Sequence, residues 1–322
     1  MIPITIRQLR YFSAVYEEAS FTKAAEREHC SQPALSAQIR SLEKTLDRPL
    51  FERSVNGVVP TAAGRRFYRH SVAILRSVNS AQVEMNELSE QMSGLVRIGL
   101  IPSVVRGLLS SVLPQFVDTY PMVDIRVLQG FSDTLAESVL AQAIDFAVVL
   151  KPPTHEGIEI TKLSKGSMVL ISNPALGFVR GAPLKLQELP QLDLVVPSPN
   201  HTLRRNIERR IWSKEIRAGR ILEMDTVYGM IDFVSHANWA TILPLVAVAH
   251  DTESERLCIN PIVEPYLEAD LYLINLAQHA LSTISRLFVE VLGREAETCE
   301  KKSWPADNIC QNLPQWSDVR RR

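Results

Sequence analysis

The stretch from Ala62 to Met92 constrains the fold most strongly, because it contains no proline and its only glycine, Gly64, lies at its start. Apolar or small residues recur along it at alternating steps of four and three: Phe67, Ser71, Ile74, Val78, Ala81, Met85, Leu88 and Met92. This heptad spacing predicts a long helix that pairs with a second copy in a dimeric coiled coil. The alternative is an amphipathic helix that packs on its own chain.

Two short helices are predicted at the start of the chain. Residues 5–18 carry apolar side chains at helical spacing. A second helix is predicted from Lys23 to Glu28, with Thr22 as its N-cap.

A third helix and a two-stranded wing follow. Ser31 can cap the third helix, which has Pro33 in its first turn. Its apolar residues fall within one narrow arc: Leu35, Ile39, Leu42 and Leu46. Residues 53–61 predict two strands with Asn56-Gly57 at their turn. Three helices and a wing in this order predict a winged helix-turn-helix.

Beyond Ser93-Gly94 the pattern changes to alternating strands and helices. Strands are predicted at residues 95–100, 123–128, 145–150, 168–171, 193–196, 220–224, 240–243 and 271–275. Helices are predicted at residues 104–120, 133–143, 202–216, 227–237 and 281–292. This alternation indicates an α/β fold with largely parallel sheets, and the length of the region suits two lobes with a cleft between them.

These patterns divide the chain into four parts. A winged helix-turn-helix is predicted at 1–61 and a long linker helix at 62–92. The α/β domain is predicted at 93–294, with lobe I at 93–167 and 268–294 and lobe II at 168–267. Residues 295–322 are expected to form a poorly ordered tail.

The net charge of −1 conceals an asymmetry along the chain. Residues 1–76 hold 12 Lys and Arg against 7 Asp and Glu, whereas the remainder holds 23 against 29. A basic head on an acidic body predicts a polyanionic partner for the head. The N-terminal residues lack the apolar run of a secretory signal, and no segment is long and apolar enough to span a bilayer, so we expect a cytoplasmic protein without membrane contact.

Catalytic and metal-binding motifs are missing from the sequence. It contains no GxSxG, HExxH, Walker A or GxGxxG pattern, and the seven histidines lack the spacing of metal ligands. The four cysteines are scattered without CxxC spacing, which argues against a zinc site and fits a reducing compartment. We therefore expect no enzyme activity, no metal and no cofactor.

The head resembles that of the LysR-type transcriptional regulators. The resemblance rests on Leu9-x-x-Phe12, Ser20-Phe-Thr-x-Ala24-Ala25, Ser31-Gln-Pro-Ala-Leu-Ser-x-Gln-Ile, Leu42-Glu43, Leu46, Pro49-Leu-Phe-x-Arg53 and Thr61-x-x-Gly64. The body resembles the same family's two-lobed, periplasmic-binding-protein-like α/β effector domain in its order of elements and in Val96-Arg-Ile-Gly and Ile242-Leu-Pro. The tail after Glu295 is not covered.

This resemblance implies that the third helix enters the major groove of DNA. Gln32, Pro33 and Ser36 match positions that approach bases. A Gln amide can pair with adenine, Ser can pair with several bases, and a Pro ring can contact a thymine methyl. Further DNA contacts are expected at Thr22, Ser31, Arg40, Arg53 and Thr61. Relatives often carry Arg where this chain has Ala37, so Arg40 is expected to contact phosphate instead.

For some of these residues a structural role is the alternative. Helix capping alone explains Ser31, and Arg53 can hold the wing by a salt bridge. The remaining anchors, Thr22 and Thr61, are expected to contact the DNA backbone and to fix register rather than sequence.

An effector site is expected between the two lobes, where strands end and helices begin. The first strand ends at Gly99-Leu-Ile-Pro-Ser103, and Pro197-Ser-Pro-Asn-His-Thr repeats this arrangement in lobe II. A hydroxyl and free N–H groups at a helix start suit a carboxylate. The expected effector-binding residues are Pro102, Ser103, Val104, Phe131, His201, Thr202 and Thr226. Helix capping by Ser103 and Thr202, and a structural role for His201, are the alternatives.

The resemblance implies a homodimer or homotetramer that binds double-stranded DNA and a small effector, with RNA polymerase as a candidate further partner. Two other functions compete with this one. An α/β enzyme or a small-molecule-binding protein could use the same lobes, with the head serving only dimerisation.

Overall fold

A computed structural model describes residues 4–54, 57–86, 92–152, 154–199, 201–277 and 279–303. The chain divides into two compact units, Met1–Ser93 and Gly94–Arg322. The first unit is called the head and the second the body, and each is described by itself.

The head begins with three helices and a two-stranded wing, as predicted, and a long fourth helix follows them. Helices α1, α2 and α3 span Ile6–Glu18, Phe21–Arg27 and Gln32–Leu46. Strands β1 (Phe51–Ser54) and β2 (Gly57–Pro60) pair antiparallel. The predicted N-cap of α2 is wrong: Ser20, not Thr22, occupies that position, and its Oγ accepts a hydrogen bond from Lys23 N at 3.4 Å.

Aromatic rings at the centre of the head hold its helices and wing together. Phe12 on α1 is fully buried, and its ring centroid lies 5.1 Å from that of Phe51 on the wing and 5.0 Å from that of Phe67. Leu35, Ile39 and Leu42 on α3 are buried in the same cluster, while Leu46 is partly buried against it. Burial of one stripe of α3 leaves its opposite face free.

The long helix α4 spans Ala62–Asn86, and its first heptad positions serve the head itself. Phe67 packs against the head core, and Ser71 is buried with its Oγ donating to Phe67 O at 2.9 Å. Ile74 and Val78 are 45% and 36% exposed. The exposed heptad positions of α4 therefore begin at Ile74, whereas the first two positions are occupied within the head. The predicted position Leu88 and the side chains of Ala81 and Met85 lie outside the described residues.

The first lobe of the body is a five-stranded sheet in the order β4-β3-β5-β13-β6. Its strands are β3 (Gly94–Leu100), β4 (Val123–Gln129), β5 (Phe146–Val149), β6 (Ile158–Ser164) and β13 (Leu271–Leu276). Helices α5 (Pro102–Thr119) and α6 (Ser132–Leu140) connect the three parallel strands β3, β4 and β5. The strand β13 pairs antiparallel with both β5 and β6.

The second lobe is a six-stranded sheet in the order β10-β9-β11-β7-β12-β8. Its strands are β7 (Met168–Ser172), β8 (Leu184–Lys185), β9 (Leu192–Val196), β10 (Ala218–Glu223), β11 (Ala240–Pro244) and β12 (Cys258–Glu264). Helices α7 (Thr202–Trp212) and α8 (Val227–His236) belong to this lobe. The strand β7 is antiparallel to both β11 and β12, so both sheets of the body are mixed rather than largely parallel.

Two crossing segments join the lobes and bond to each other. Ala269 N donates to Gly166 O at 2.8 Å, and Met168 N donates to Leu267 O at 3.0 Å. These bonds make residues 164–168 and 267–270 a short ladder at the back of the interlobe space. The last helix, α9 (Thr283–Ser303), packs on this ladder, because Glu300 accepts hydrogen bonds from Ser167 N and Oγ, both at 3.0 Å. The helix therefore continues to Ser303, beyond Glu295, after which the sequence predicted a poorly ordered tail.

Candidate functional site

The N-terminal part of α3 presents a polar surface. Gln32, Pro33 and Arg40 are exposed and Ser36 is half-buried. Pro33 and Arg40 point away from the buried Leu35, and Gln32 and Ser36 lie on the adjoining flank of the helix. The structure thus brings the four predicted α3 contacts together on one side of one helix, the element that a major groove admits.

The hydroxyl of Ser31 does not cap α3. Ser31 occupies the N-cap position with extended backbone, but its side chain makes no capping hydrogen bond. Helix capping therefore does not account for Ser31, and its exposed hydroxyl adds to the polar surface. Thr22 is also exposed, in the first turn of α2.

Thr61 is bound within the head. Its Oγ1 donates to Pro49 O at 2.9 Å and accepts from Gly64 N at 2.9 Å, so it ties the start of α4 to the segment before the wing. With its single hydrogen donated to a carbonyl, this hydroxyl can offer DNA no donor in this state. The side chain of Arg53 lies outside the described residues, so its predicted phosphate contact and its alternative salt bridge both stay predictions.

A cavity of about 280 Å³ lies between the two lobes of the body. Lobe I contributes the start of α5, the start of α6 and the residues after β5. Lobe II contributes the residues after β9 and β10 and the starts of α7 and α8, and the crossing segments close the back. The wall is largely apolar, with Met168, Met224, Met230 and Leu243 among its residues. A mostly apolar pocket with a few polar groups is typical of a small-molecule site.

The starts of four helices line this cavity, and they differ in how they are capped. His201 caps α7 and Thr226 caps α8 through hydrogen bonds from Leu203 N at 3.1 Å and Gly229 N at 3.3 Å. At α6 no side chain caps the helix, but Asp133 lies in the first turn. The start of α5 has neither a side-chain cap nor an acidic residue in its first turn. Its positive end is therefore the one left to attract an anion.

Ser103 lies in the first turn of α5 and lines the cavity. The residue is only 5% exposed, yet its hydroxyl has no hydrogen-bond partner within the described part of the chain. Because Ser103 lies on the cavity wall and its hydroxyl makes no hydrogen bond to a described residue, it is available to a ligand that completes its hydrogen bonding.

His201 meets Phe131 across the cleft. Their ring centroids are 4.6 Å apart with the planes at 80°, an edge-to-face contact between the lobes. Burial lowers the pKa of His201, against the nearby charge of Asp225, which raises it. The neutral ring accepts at Nδ1 in its cap of α7, so Nε2 carries the proton. His201 therefore combines the predicted ligand-facing position with a structural role.

The predicted effector residues are placed as follows. Pro102, Ser103, Phe131 and His201 line the cavity. Val104 is fully buried behind the wall, and Thr226 caps α8 without lining the cavity. The side chain of Thr202 lies outside the described residues. Sequence reasoning missed Lys151, Asp133, Asp225, Glu268 and Asp270, although Lys151 and Asp225 each follow a strand, where α/β sites form.

The lowered pKa of His201 predicts a pH-dependent stability of the body. Because the unfolded chain protonates this ring near pH 6.5 and the folded chain resists protonation, stability is complete above pH 6.5 and falls as the pH drops below it. His201→Asn keeps a good N-cap without titrating, so its melting temperature should depend less on pH between about 5 and 7.

Thermal unfolding followed by tryptophan fluorescence at several pH values measures this effect. The control is His201→Ala, which loses the cap and should cost about 1 kcal/mol above pH 6.5, with the same weak pH dependence as His201→Asn. Equal pH dependence of wild type and His201→Asn would show that another group is responsible.

The described residues hold no helix long and apolar enough to cross a membrane, and no group of three or more potential metal ligands. Cys258 is buried, and two acceptors lie within hydrogen-bond distance of its thiol, Phe178 O at 3.1 Å and Asn260 Oδ1 at 3.2 Å. Burial raises the pKa of this thiol, which keeps it protonated and unreactive. A winged helix-turn-helix head and a two-lobed body around a pocket define a DNA-binding protein with a ligand-binding domain.

Comparison with known proteins assigns the chain to a family. The family model "LysR substrate binding domain" matches residues 89–297, and "Bacterial regulatory helix-turn-helix protein, lysR family" matches residues 6–65. The chain belongs to the LysR family of DNA-binding transcriptional regulators, which are not enzymes. The alternatives of an enzyme or a free-standing binding protein with a dimerising head are thereby set aside.

Relatives and solved structures agree with this assignment. The nitrogen assimilation regulatory protein nac of Klebsiella aerogenes is 27% identical over 290 residues, which cover 90% of this chain and 94% of that protein. A full-length OxyR variant from Pseudomonas aeruginosa has a TM-score of 0.70 at 19% identity, covering 92% of this chain and 95% of that chain. Full-length CbnR complexed with its target DNA has a TM-score of 0.61 at 23% identity, covering 91% of this chain and 100% of that chain.

Proposed function

We propose that this regulator reads specific DNA sequences with α3 and that a small carboxylate bound between the lobes controls its DNA binding. The observation that carries the first part is the exposed polar face of α3, where Ser31, Gln32 and Ser36 lie together with no core role. These side chains supply the donors and acceptors that base edges recognise. Thr22, Arg40 and Arg53 are assigned to the DNA backbone, which sets register.

The carboxylate is supported by the start of α5. Ser103 offers a hydroxyl on the cavity wall without a partner among the described residues, and no side chain caps the positive end of its helix. Because the cavity is formed by both lobes, an occupant contacts both and favours their closed arrangement. We infer that closure changes how the bodies pack in the oligomer and hence the spacing of the paired heads on DNA. This function places the chain in the cytoplasm, with RNA polymerase as the further partner.

The DNA-binding part is tested by selection of binding sites from a random double-stranded DNA pool with the full chain. A homodimer that inserts one α3 per half-site should select a two-fold symmetric sequence with half-sites separated by whole helical turns. Affinity for the selected site should fall steeply with salt, because phosphate contacts release counterions. Enrichment of no sequence above background would contradict this function.

Pairing of two chains through α4 carries a separate prediction. Ile74 and Val78 are exposed in the described chain although they sit at heptad positions, and burial of such side chains stabilises a coiled coil. Ile74→Glu places two like charges at the seam of a symmetric dimer. The change removes about 3 kcal/mol of the stabilisation that apolar burial contributes, summed over both chains. The dissociation constant should therefore rise by at least about 100-fold.

Sedimentation of the variant measures this effect. The matched control is Arg69→Glu, which also introduces a carboxylate into α4 at an exposed position outside the heptad series. A dimer of unchanged strength in the Ile74→Glu variant would contradict pairing through α4.

A further inference from the structure

The charges on the cleft wall are unbalanced. The cavity is lined by four carboxylates, Asp133, Asp225, Glu268 and Asp270, against a single lysine, Lys151. Asp270 is neutralised, because it forms an ion pair with Lys162 and accepts from Gly166 N at 3.1 Å. The other three carboxylates form no ion pair with any described residue.

These three carboxylates come from three different parts of the wall. Asp133 lies in the first turn of α6 in lobe I, and Asp225 lies just before α8 in lobe II. Glu268 belongs to the crossing segments at the back, where it pairs with Ser167. A ligand bound between the lobes therefore has carboxylates around it from both lobes and from the crossing segments.

The imidazole of His201 does not neutralise these carboxylates. Burial lowers its pKa, although the charges of Asp225 and Asp133 both raise it, so the ring stays neutral near pH 7. Asp225 accepts one hydrogen bond, from Ser198 N at 2.8 Å, which leaves the rest of its carboxylate free. Within the described residues, the wall thus offers several unpaired carboxylates and Lys151 as the one unpaired cation.

Ser103 gives a second observation that this space receives a ligand, since the residue is only 5% exposed, lines the cavity and has no hydrogen-bond partner among the described residues. Its helix start suits one carboxylate. A second negative group on the same ligand would lie among the acidic side chains, and closure of the cleft would remove the water that screens their repulsion. A positive group in the same place would instead be attracted to these carboxylates, and the attraction would strengthen when water is removed.

We propose that the effector is an aminocarboxylate: a carboxylate held at Ser103 and the start of α5, an ammonium group facing Asp133, Asp225 and Glu268, and an apolar portion against the methionine-rich wall. This rests on the proposed function, which places a carboxylate in the cleft. The ammonium, with donors only, matches carboxylates that have only acceptors to offer.

Calorimetry of the full chain with matched pairs of ligands tests this inference. The panel holds the standard amino acids and 5-aminovalerate, the corresponding acids without the amino group, and the dicarboxylates succinate and glutarate. At least one aminocarboxylate should bind about tenfold or more tightly than its deaminated partner.

Variants separate the two ends of the ligand. Asp225→Asn with Glu268→Gln should weaken the aminocarboxylate about tenfold and leave its deaminated partner unchanged, whereas Ser103→Ala should weaken both. The matched control is Asp124→Asn, an exposed acidic residue on β4 outside the cavity. Its binding should equal that of the wild type.

The outcomes distinguish this inference from the function on which it rests. Tighter binding of plain carboxylates or dicarboxylates, or an aminocarboxylate affinity that ignores the Asp225 and Glu268 changes, overturns the ammonium site and leaves the carboxylate effector standing. Binding of neither class at millimolar concentration overturns both.

Discussion

Gly64→Ala is expected to destabilise the head by about 3 kcal/mol, because a Cβ at this position would lie 2.1 Å from Leu50 O. The neighbouring backbone has little freedom to move away. Leu50 N donates to Glu43 Oε1 at 2.7 Å, Leu50 O accepts from Thr61 N at 3.0 Å, and Gly64 N donates to Thr61 Oγ1. The spacing Thr61-x-x-Gly64 is thus a close crossing of α4 over the segment before the wing.

The location of the tryptophans allows this effect to be measured in the full chain. All four lie beyond residue 93, so the head contains no tryptophan and its unfolding is not reported directly by tryptophan fluorescence, whereas circular dichroism reports on the helices of both units. Gly64→Ala should lower the melting temperature at which the head unfolds, as seen by circular dichroism, and leave the melting temperature seen by fluorescence unchanged. Arg66→Ala, an exposed neighbour on α4, is the control and should change stability by less than about 0.5 kcal/mol. An unaltered melting curve by circular dichroism in Gly64→Ala would contradict the crossing geometry.

Gln32→Ala and Ser36→Ala are expected to weaken binding to the selected DNA site without weakening binding to unrelated DNA. A base contact of the bidentate kind contributes about 1–3 kcal/mol of discrimination, so Gln32→Ala should cost roughly 10- to 100-fold in affinity for the specific site. Ser36→Ala should cost less, because one hydroxyl makes fewer bonds. Nonspecific affinity rests on phosphate contacts and should stay the same.

Fluorescence anisotropy with the selected site and a scrambled duplex, at one salt concentration, measures both affinities. Gln38→Ala is the matched control, since this glutamine lies on the flank of α3 away from Gln32 and Ser36. Parallel losses on both duplexes would assign Gln32 to phosphate contact, and no loss on either would remove it from the interface.

The buried face of α3 made this helix predictable from the sequence, whereas the start of α2 was misplaced because tertiary contacts determine it. The spacing of Leu35, Ile39 and Leu42 required one buried face, and this prediction is confirmed. The cap of α2 was misplaced because Ser20 and Thr22 are both good N-caps. Phe21 is the first residue of α2, so the helix begins after Ser20. Its ring packs on that of Phe51, with 6.1 Å between the ring centroids.

The heptad pattern in α4 shows the limit of periodicity as evidence. An apolar position recurs whether it faces a partner chain or the core of its own head. Phe67 packs against the head core, next to Phe12, which lies far earlier in the chain, and Ser71 is buried one helical turn further on. No local pattern contains that information.

In the body, the missed elements are those with weak local signals. The strand β6 exposes most of its residues, and β12 contains Pro261, so neither sequence has the pattern of a buried strand. The end of α9 is polar and is held by the bonds of Glu300 to Ser167. The start of α5 was identified as a cleft element because it follows a strand, but the acidic wall opposite it comes from residues distant in sequence.

The most direct test of the central claim measures DNA binding with the cleft filled. The full chain is titrated against its selected site by anisotropy and footprinting, with and without the panel ligand that calorimetry shows to bind best. The predicted result is a change of affinity, or of footprint length, that Ser103→Ala shifts to higher ligand concentration. Saturation of the cleft by that ligand with an identical affinity and footprint would contradict control of DNA binding by the interlobe site.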